Sequence, residues 1–112
     1  KELNTNFVFL RPLASDFSTL GLTMRAGKLS FGYDTVKSAV QEGKVFLLLT
    51  ASDLSEKSGK EVRYLSERHD IPLLPLPKTQ AEIRGIIGKL TGILAVTDKG
   101  LAQSLLKAAG TP

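Results

Sequence analysis

The sequence predicts an α/β domain in which a central sheet is covered by helices on both faces. Three observations predict it. From residue 16 onward, stretches with helical spacing alternate with short apolar runs, in the order helix and then four strand-helix units. One of these runs, VFLLLT (45–50), is apolar and rich in β-formers throughout, the pattern of a strand covered on both sides. The 42% apolar content is mostly aliphatic, with 6% aromatic residues and no Trp, so Leu, Ile, Val and Ala must build the core.

Residues 1–15, KELNTNFVFLRPLAS, fit neither a helical nor a strict strand period and contain a Pro. They are expected to be an N-terminal extension or a segment appended to the native chain, in keeping with the missing initiator Met. Residues 16–112 are expected to form one domain. In DFSTLGLTMRAG (16–27), Asp16 is the expected N-cap, Phe17, Leu20 and Met24 share a helical stripe, and Gly27 stops the helix. KLSFG (28–32) reads as a short strand.

Asp34 is the expected cap of the next helix, with Val36, Ala39 and Val40 on one face and Gly43 at its end. After the strand VFLLLT, Asp53 and Glu56 have capping-box spacing for a helix to about Arg68 that buries Val62 and Leu65. IPLLPLP (71–77) reads as a strand whose prolines suit an edge or an irregular end. Thr79 and Glu82 form a second capping box, opening a helix with Ile83, Ile86, Ile87 and Leu90 on its buried side. GILAVT (92–97) is the fourth strand, and a last helix from Asp98 to Ala109 buries Leu101, Leu105 and Leu106.

Composition removes several function classes. With no Cys, there is no disulfide framework, thiolate zinc site or thiol nucleophile, and a reducing, cytoplasmic setting is expected. The longest apolar runs fall far short of the roughly 20 residues of a membrane-spanning helix, and the N-terminus does not read as a signal peptide. A net charge of +4 allows a polyanionic partner without demanding one.

His69, in ERHDIP, is the one histidine; at a helix end its favourable partner is the helix dipole rather than a reaction. The glycines of RAGKLSFG (25–32) spell neither a phosphate loop nor a dinucleotide fingerprint. Asp53 and Asp98 follow strands, where α/β sheets often place active sites, but both also precede helices, and capping explains them. No catalytic residues, metal ligands or cofactor are therefore expected.

The stretch from Lys28 to Ser38 carries another chemistry. A glycine between strand and helix lets another backbone come close, and the helix start behind it offers unpaired N–H groups and partial positive charge to an oxyanion. Lys28 before the strand and Lys37 in the helix add cationic charge, although the same residues also suit a tight turn with solvated lysines.

The segment LGLTMRAGKLSFGYDTVKSAVQEGKVFLLLTASDLS, followed by IPLLPLPKTQAEIRGIIGK and ILAVTDKGLA, resembles the ribosomal protein L-seven-Ae and L-thirty-e family, especially its small bacterial members. The similarity runs in order over residues 16–109. It rests on the RAGK-like helix exit, the Gly opening the second helix, an E-[IL]-x-x-x-x-G segment and an AVTD-like strand end. The resemblance implies a three-layer α/β/α sandwich with a four-stranded mixed sheet, and binding to kink-turn RNA, a bent internal loop with sheared G·A pairs.

The family pattern at the second helix is G-x-N-E-x-x-K, whose polar side chains read guanine edges. Gly32 and Gly43 align without a gap, which implies an RNA-contacting segment of Gly32, Tyr33, Asp34, Thr35, Lys37 and Ser38. Asp34 stands at the Asn position, Thr35 at the Glu position and Ser38 at the Lys position. An ionised Asp only accepts hydrogen bonds, Thr is shorter than Glu, and Lys37 sits about 100° around the helix from the family lysine. The second implied contact region is the loop after the fourth helix, Lys89, Leu90 and Thr91, with Arg84 on the helix before it.

The expected protein is thus a monomeric, cytoplasmic, non-catalytic binder of structured RNA, ribosomal or otherwise. One alternative is a protein-interaction module on the same fold whose RNA site has degraded. Another is an accessory RNA-binding partner of an RNA-modifying enzyme.

Overall fold

The computed structural model describes residues 18–108. The expectations for residues 1–15, for Asp16 as a cap and for Phe17 as a stripe residue lie outside that range. The elements follow in the order α1 (Ser18–Arg25), β1 (Leu29–Phe31), α2 (Tyr33–Gln41), β2 (Leu47–Thr50), α3 (Glu56–His69), β3 (Leu73–Pro75), α4 (Gln80–Ile87), β4 (Ile93–Val96) and α5 (Lys99–Ala108).

The strands form one mixed sheet in the order β1-β4-β2-β3. β4 is antiparallel to both of its neighbours, β1 and β2, and β2 is parallel to β3. The two most apolar strands therefore take the centre, and all four residues of each are buried. β3, with Pro75 at its end, lies at the edge, where a missing N–H costs least.

Alternation along the strands divides the core into two layers. Leu47, Leu49, Leu74, Leu94 and Val96 face α1, α4 and α5, where Leu20, Ile83 and Leu105 meet them. Leu48, Leu73 and Ala95 face α2 and α3, against Val36, Val40, Val62 and Leu65. Each fully buried Leu contributes about 1.5–3 kcal/mol. The result is the α/β/α sandwich that the sequence resemblance implied.

Caps set the helix boundaries, and two of the N-caps differ from expectation. α2 is capped by Gly32 rather than Asp34, which lies in its first turn. α3 starts behind Ser55, whose hydroxyl accepts the Ser58 N–H at 3.2 Å, so Asp53 and Glu56 form no capping box. Asp53 instead accepts the Gln80 N–H at 2.9 Å and so caps α4 from 27 residues away.

The Thr79–Glu82 box is present in both directions. α4 then stops early because Gly88 takes a left-handed conformation (φ 80°), which leaves Leu90 beyond the helix and 64% exposed rather than on its buried stripe. Asp98 accepts the Leu101 N–H at the start of α5, the capping role expected of it. His69 is the last residue of α3 and is exposed.

Candidate nucleic-acid interface

Strand polarity brings the candidate residues together. Because β1 and β4 are antiparallel, the end of β1 lies beside the start of β4, and the Gly32 N–H donates to the Ile93 carbonyl at 3.0 Å. The start of α2 and the turn from Gly88 to Gly92 thus share one end of the sheet. The end of β2 joins them, since the Ala51 N–H donates to the Gly92 carbonyl at 2.9 Å.

Gly32 adopts φ 88° and ψ 143°, a conformation that side chains resist, and a Cβ built on it would meet nothing within 4 Å. The backbone is therefore open to approach at this point. A glycine N-cap supplies no side chain to the first-turn N–H groups, and the first intrahelical bond runs from the Val36 N–H to the Gly32 carbonyl at 2.9 Å. The N–H groups of Tyr33, Asp34 and Thr35 point out of the helix end, where its partial positive charge lies.

On α2 the buried stripe is Val36 and Val40, with Ala39 partly buried beside them, so Asp34, Thr35, Lys37 and Ser38 are all exposed. The Lys37 Nζ lies 6.0 Å from the centre of the Tyr33 ring, a cation–π distance that holds the ammonium near the helix start.

Across the ladder, Lys89 and Leu90 are exposed on the turn, and the Lys89 Nζ lies 6.0 Å from the centre of the Phe31 ring. Phe31 was not singled out from the sequence. Its signal was an aromatic residue at the strand end just before Gly32, and its partner lies 58 positions further along the chain. Arg84 is exposed in the last turn of α4, one helical turn before Gly88.

Two candidates are placed differently. Lys28 stands at the opposite end of β1, where its carbonyl accepts the Thr97 N–H at 2.9 Å, about 13 Å of extended chain from Gly32. Its charge lies outside the cluster. Thr91 is only 8% exposed, and its hydroxyl donates to the Ile93 carbonyl and accepts from the Ile93 N–H. Thr91 therefore shapes the turn that presents Lys89 and Leu90. Among the described residues there is no group of His, Asp and Glu arranged to hold a metal ion, and no helix long and apolar enough to cross a membrane.

The chain is similar in sequence and in fold to known proteins. The chain is 33% identical over 84 residues to a protein of Enterococcus faecium named RNA-binding protein YlxQ, covering 75% of this chain and 81% of that protein. It is 30% identical over 95 residues to the Bacillus subtilis (strain 168) protein of the same name, covering 80% and 90%. The large ribosomal subunit protein eL30 of Candida albicans is 28% identical over 85 residues, covering 74% of this chain and 80% of that one. A solved structure of a protein of unknown function from Bacillus halodurans superposes with a TM-score of 0.78 at 29% identity, over 84% of this chain and 95% of that one. A model of the ribosomal protein L7Ae/L30e/S12e/Gadd45 family matches residues 17–106. With most of its length matched and its fold in agreement, the chain belongs to the ribosomal protein L7Ae/L30e/S12e/Gadd45 family.

Proposed function

We propose that the protein binds a structured RNA through the start of α2 and the α4–β4 turn, acting by holding a bent RNA rather than by changing it covalently. The observation that carries this reading is the Gly32–Ile93 hydrogen bond, which sets an open, side-chain-free helix start next to the exposed Lys89 and Leu90. The names of the two bacterial relatives and of the ribosomal relative support it.

The finer proposal is a kink-turn. A phosphate would sit against the first-turn N–H groups of α2, with Lys37 and Lys89 neutralising neighbouring phosphates and Arg84 at the margin. Asp34, Thr35 and Ser38 would face the bases with a different donor pattern from Asn, Glu and Lys. Specificity for sheared G·A pairs therefore depends on that trio, while affinity depends on the cations. The proposed setting is a cytoplasmic ribonucleoprotein, with the protein entering as a monomer and needing no cofactor.

Titration of a kink-turn duplex and a control with its G·A pairs disrupted, each over a series of salt concentrations, tests the reading. Affinity should fall log-linearly with salt, by about 0.9 in slope per phosphate neutralised, and the kink-turn should bind more tightly than its control. Equal binding of both RNAs would leave RNA affinity without kink-turn specificity. No binding at low salt would remove RNA altogether and leave a protein-interaction module in its place.

A further inference from the structure

A cleft lies over the parallel half of the sheet. β2, α3 and β3 form a βαβ unit, and the ends of its two strands together with the first turns of α3 enclose a cleft of about 280 Å³. Open α/β sheets bind ligands at this place, beyond the carboxyl ends of parallel strands, where the helix start favours an anion.

The cleft contains an unexplained polar group. Four polar side chains are buried among the described residues: Thr23, Thr50, Ser66 and Thr91. Three have internal hydrogen bonds, Thr23 to the Thr19 carbonyl, Ser66 to the Ile71 carbonyl, and Thr91 to Ile93. Thr50 is 8% exposed and lines the cleft, on the same face of β2 as Leu48, and its hydroxyl has no hydrogen-bond partner among the described residues. A buried hydroxyl without a partner destabilises a fold, and Val would fill the same volume without that cost.

Gly59 is the second anomaly. It lies within a 14-residue helix, where glycine weakens the helix relative to Ala, and a Cβ built there would meet nothing within 4 Å. Gly59 itself lines the cleft, and the space beside it is open. The remaining walls divide by chemistry. Lys60 and Arg63 outnumber Glu56 on the helix side, and Leu54, Leu73 and Pro75 form an apolar surface.

We infer that this cleft binds a small organic oxyanion. Its phosphate or carboxylate group sits at the start of α3 beside Lys60, its compact apolar body lies against Leu54, Leu73 and Pro75, and it takes the Thr50 hydroxyl as a hydrogen-bond partner, one that no described residue supplies. Gly59 is retained because a side chain would occupy the ligand's volume. The site stands independently of the RNA reading.

The test uses adenosine 5′-monophosphate, benzoate and inorganic phosphate as probes, titrated into the parent, Thr50→Val and Gly59→Leu by amide NMR, with melting temperatures measured alongside. At least one organic anion should saturate with a Kd below about 1 mM, and each substitution should weaken it by about tenfold or more. Both variants should melt at or above the parent temperature, because one removes an unpaired hydroxyl and the other a helical glycine. Failure of both organic anions to saturate would overturn the inference. So would inorganic phosphate binding as tightly as the organic probes and unaffected by Gly59→Leu, which would mean an ion on surface cations only. A clear drop in the melting temperature of Thr50→Val would show a structural hydroxyl and overturn it equally.

Discussion

Replacing Gly32 with Ala separates backbone strain from side-chain crowding. At φ 88° and ψ 143°, Gly32 lies near the border of a region that is essentially confined to glycine, whereas Gly88, at φ 80° and ψ 5°, is in the left-handed region that other residues enter at lower cost. Neither Cβ would touch a neighbour within 4 Å, so the difference between the two substitutions is conformational. The expected cost is about 2–3 kcal/mol for Gly32→Ala and about 1 kcal/mol for Gly88→Ala. With an unfolding entropy near 2.1 cal/mol/K per residue over about 90 ordered residues, 1 kcal/mol corresponds to about 5 °C. Thermal melts followed by far-UV circular dichroism should thus show a loss of about 10–15 °C for Gly32→Ala and about 5 °C for Gly88→Ala. RNA titration well below both melting points should then show Gly32→Ala weakened beyond any effect of unfolding, because under the proposed function the methyl group would stand where a phosphate approaches. A Gly32→Ala variant that melts with the parent would refute the backbone reasoning, and one that binds RNA normally while folded would refute the close approach.

Three further perturbations follow from the same geometry. Lys37→Ala should weaken kink-turn binding by about 1 kcal/mol or more with little change in stability, and Ser38→Lys, which rebuilds the family pattern on an exposed position, should restore or improve it; fluorescence anisotropy with both variants checks this. Asp53→Ala and Thr79→Ala should each cost about 1 kcal/mol in urea denaturation, because both side chains cap the start of α4, and their double-mutant cycle should deviate from additivity. Leu48→Ala, in a fully buried position on the central strand β2, should cost about 2–5 kcal/mol by the same assay.

The elements were legible in the sequence where local chemistry decides them. VFLLLT announced a strand buried on both faces, and its last four residues form β2, one of the two central strands, while Phe46 lies before the strand and is 41% exposed. Thr79 and Glu82 lie within one turn, so their capping box could be read from spacing alone. Asp53 misled because its partner, Gln80, comes from an element 27 residues away, and no local pattern encodes that contact. Leu90 continued a helical stripe on paper, but the left-handed turn at Gly88 had already ended the helix.

Legibility of the candidate site was divided in the same way. The Gly32 to Ser38 segment is contiguous, so its exposed face could be derived from the Val36 and Val40 stripe. That Lys89 would lie against Phe31 depends on the antiparallel pairing of β1 with β4, a long-range choice that neither strand records. The extended β1 puts Lys28 at the far end of the sheet, although only three strand residues separate it from Gly32. Family resemblance supplied the association between the two regions, and the β1–β4 ladder supplies its physical cause.

Amide NMR mapping with a kink-turn RNA tests the central claim most directly, because it reports every backbone N–H at once. Addition of the RNA at moderate salt should shift the amides of Gly32 through Ser38 together with those of Gly88 through Gly92, in one saturable transition. Lys28, at the opposite end of β1, should remain unmoved. Shifts confined to one of the two segments, or centred on Lys28 and the far end of the sheet, would contradict a shared RNA surface at the junction of β1 and β4.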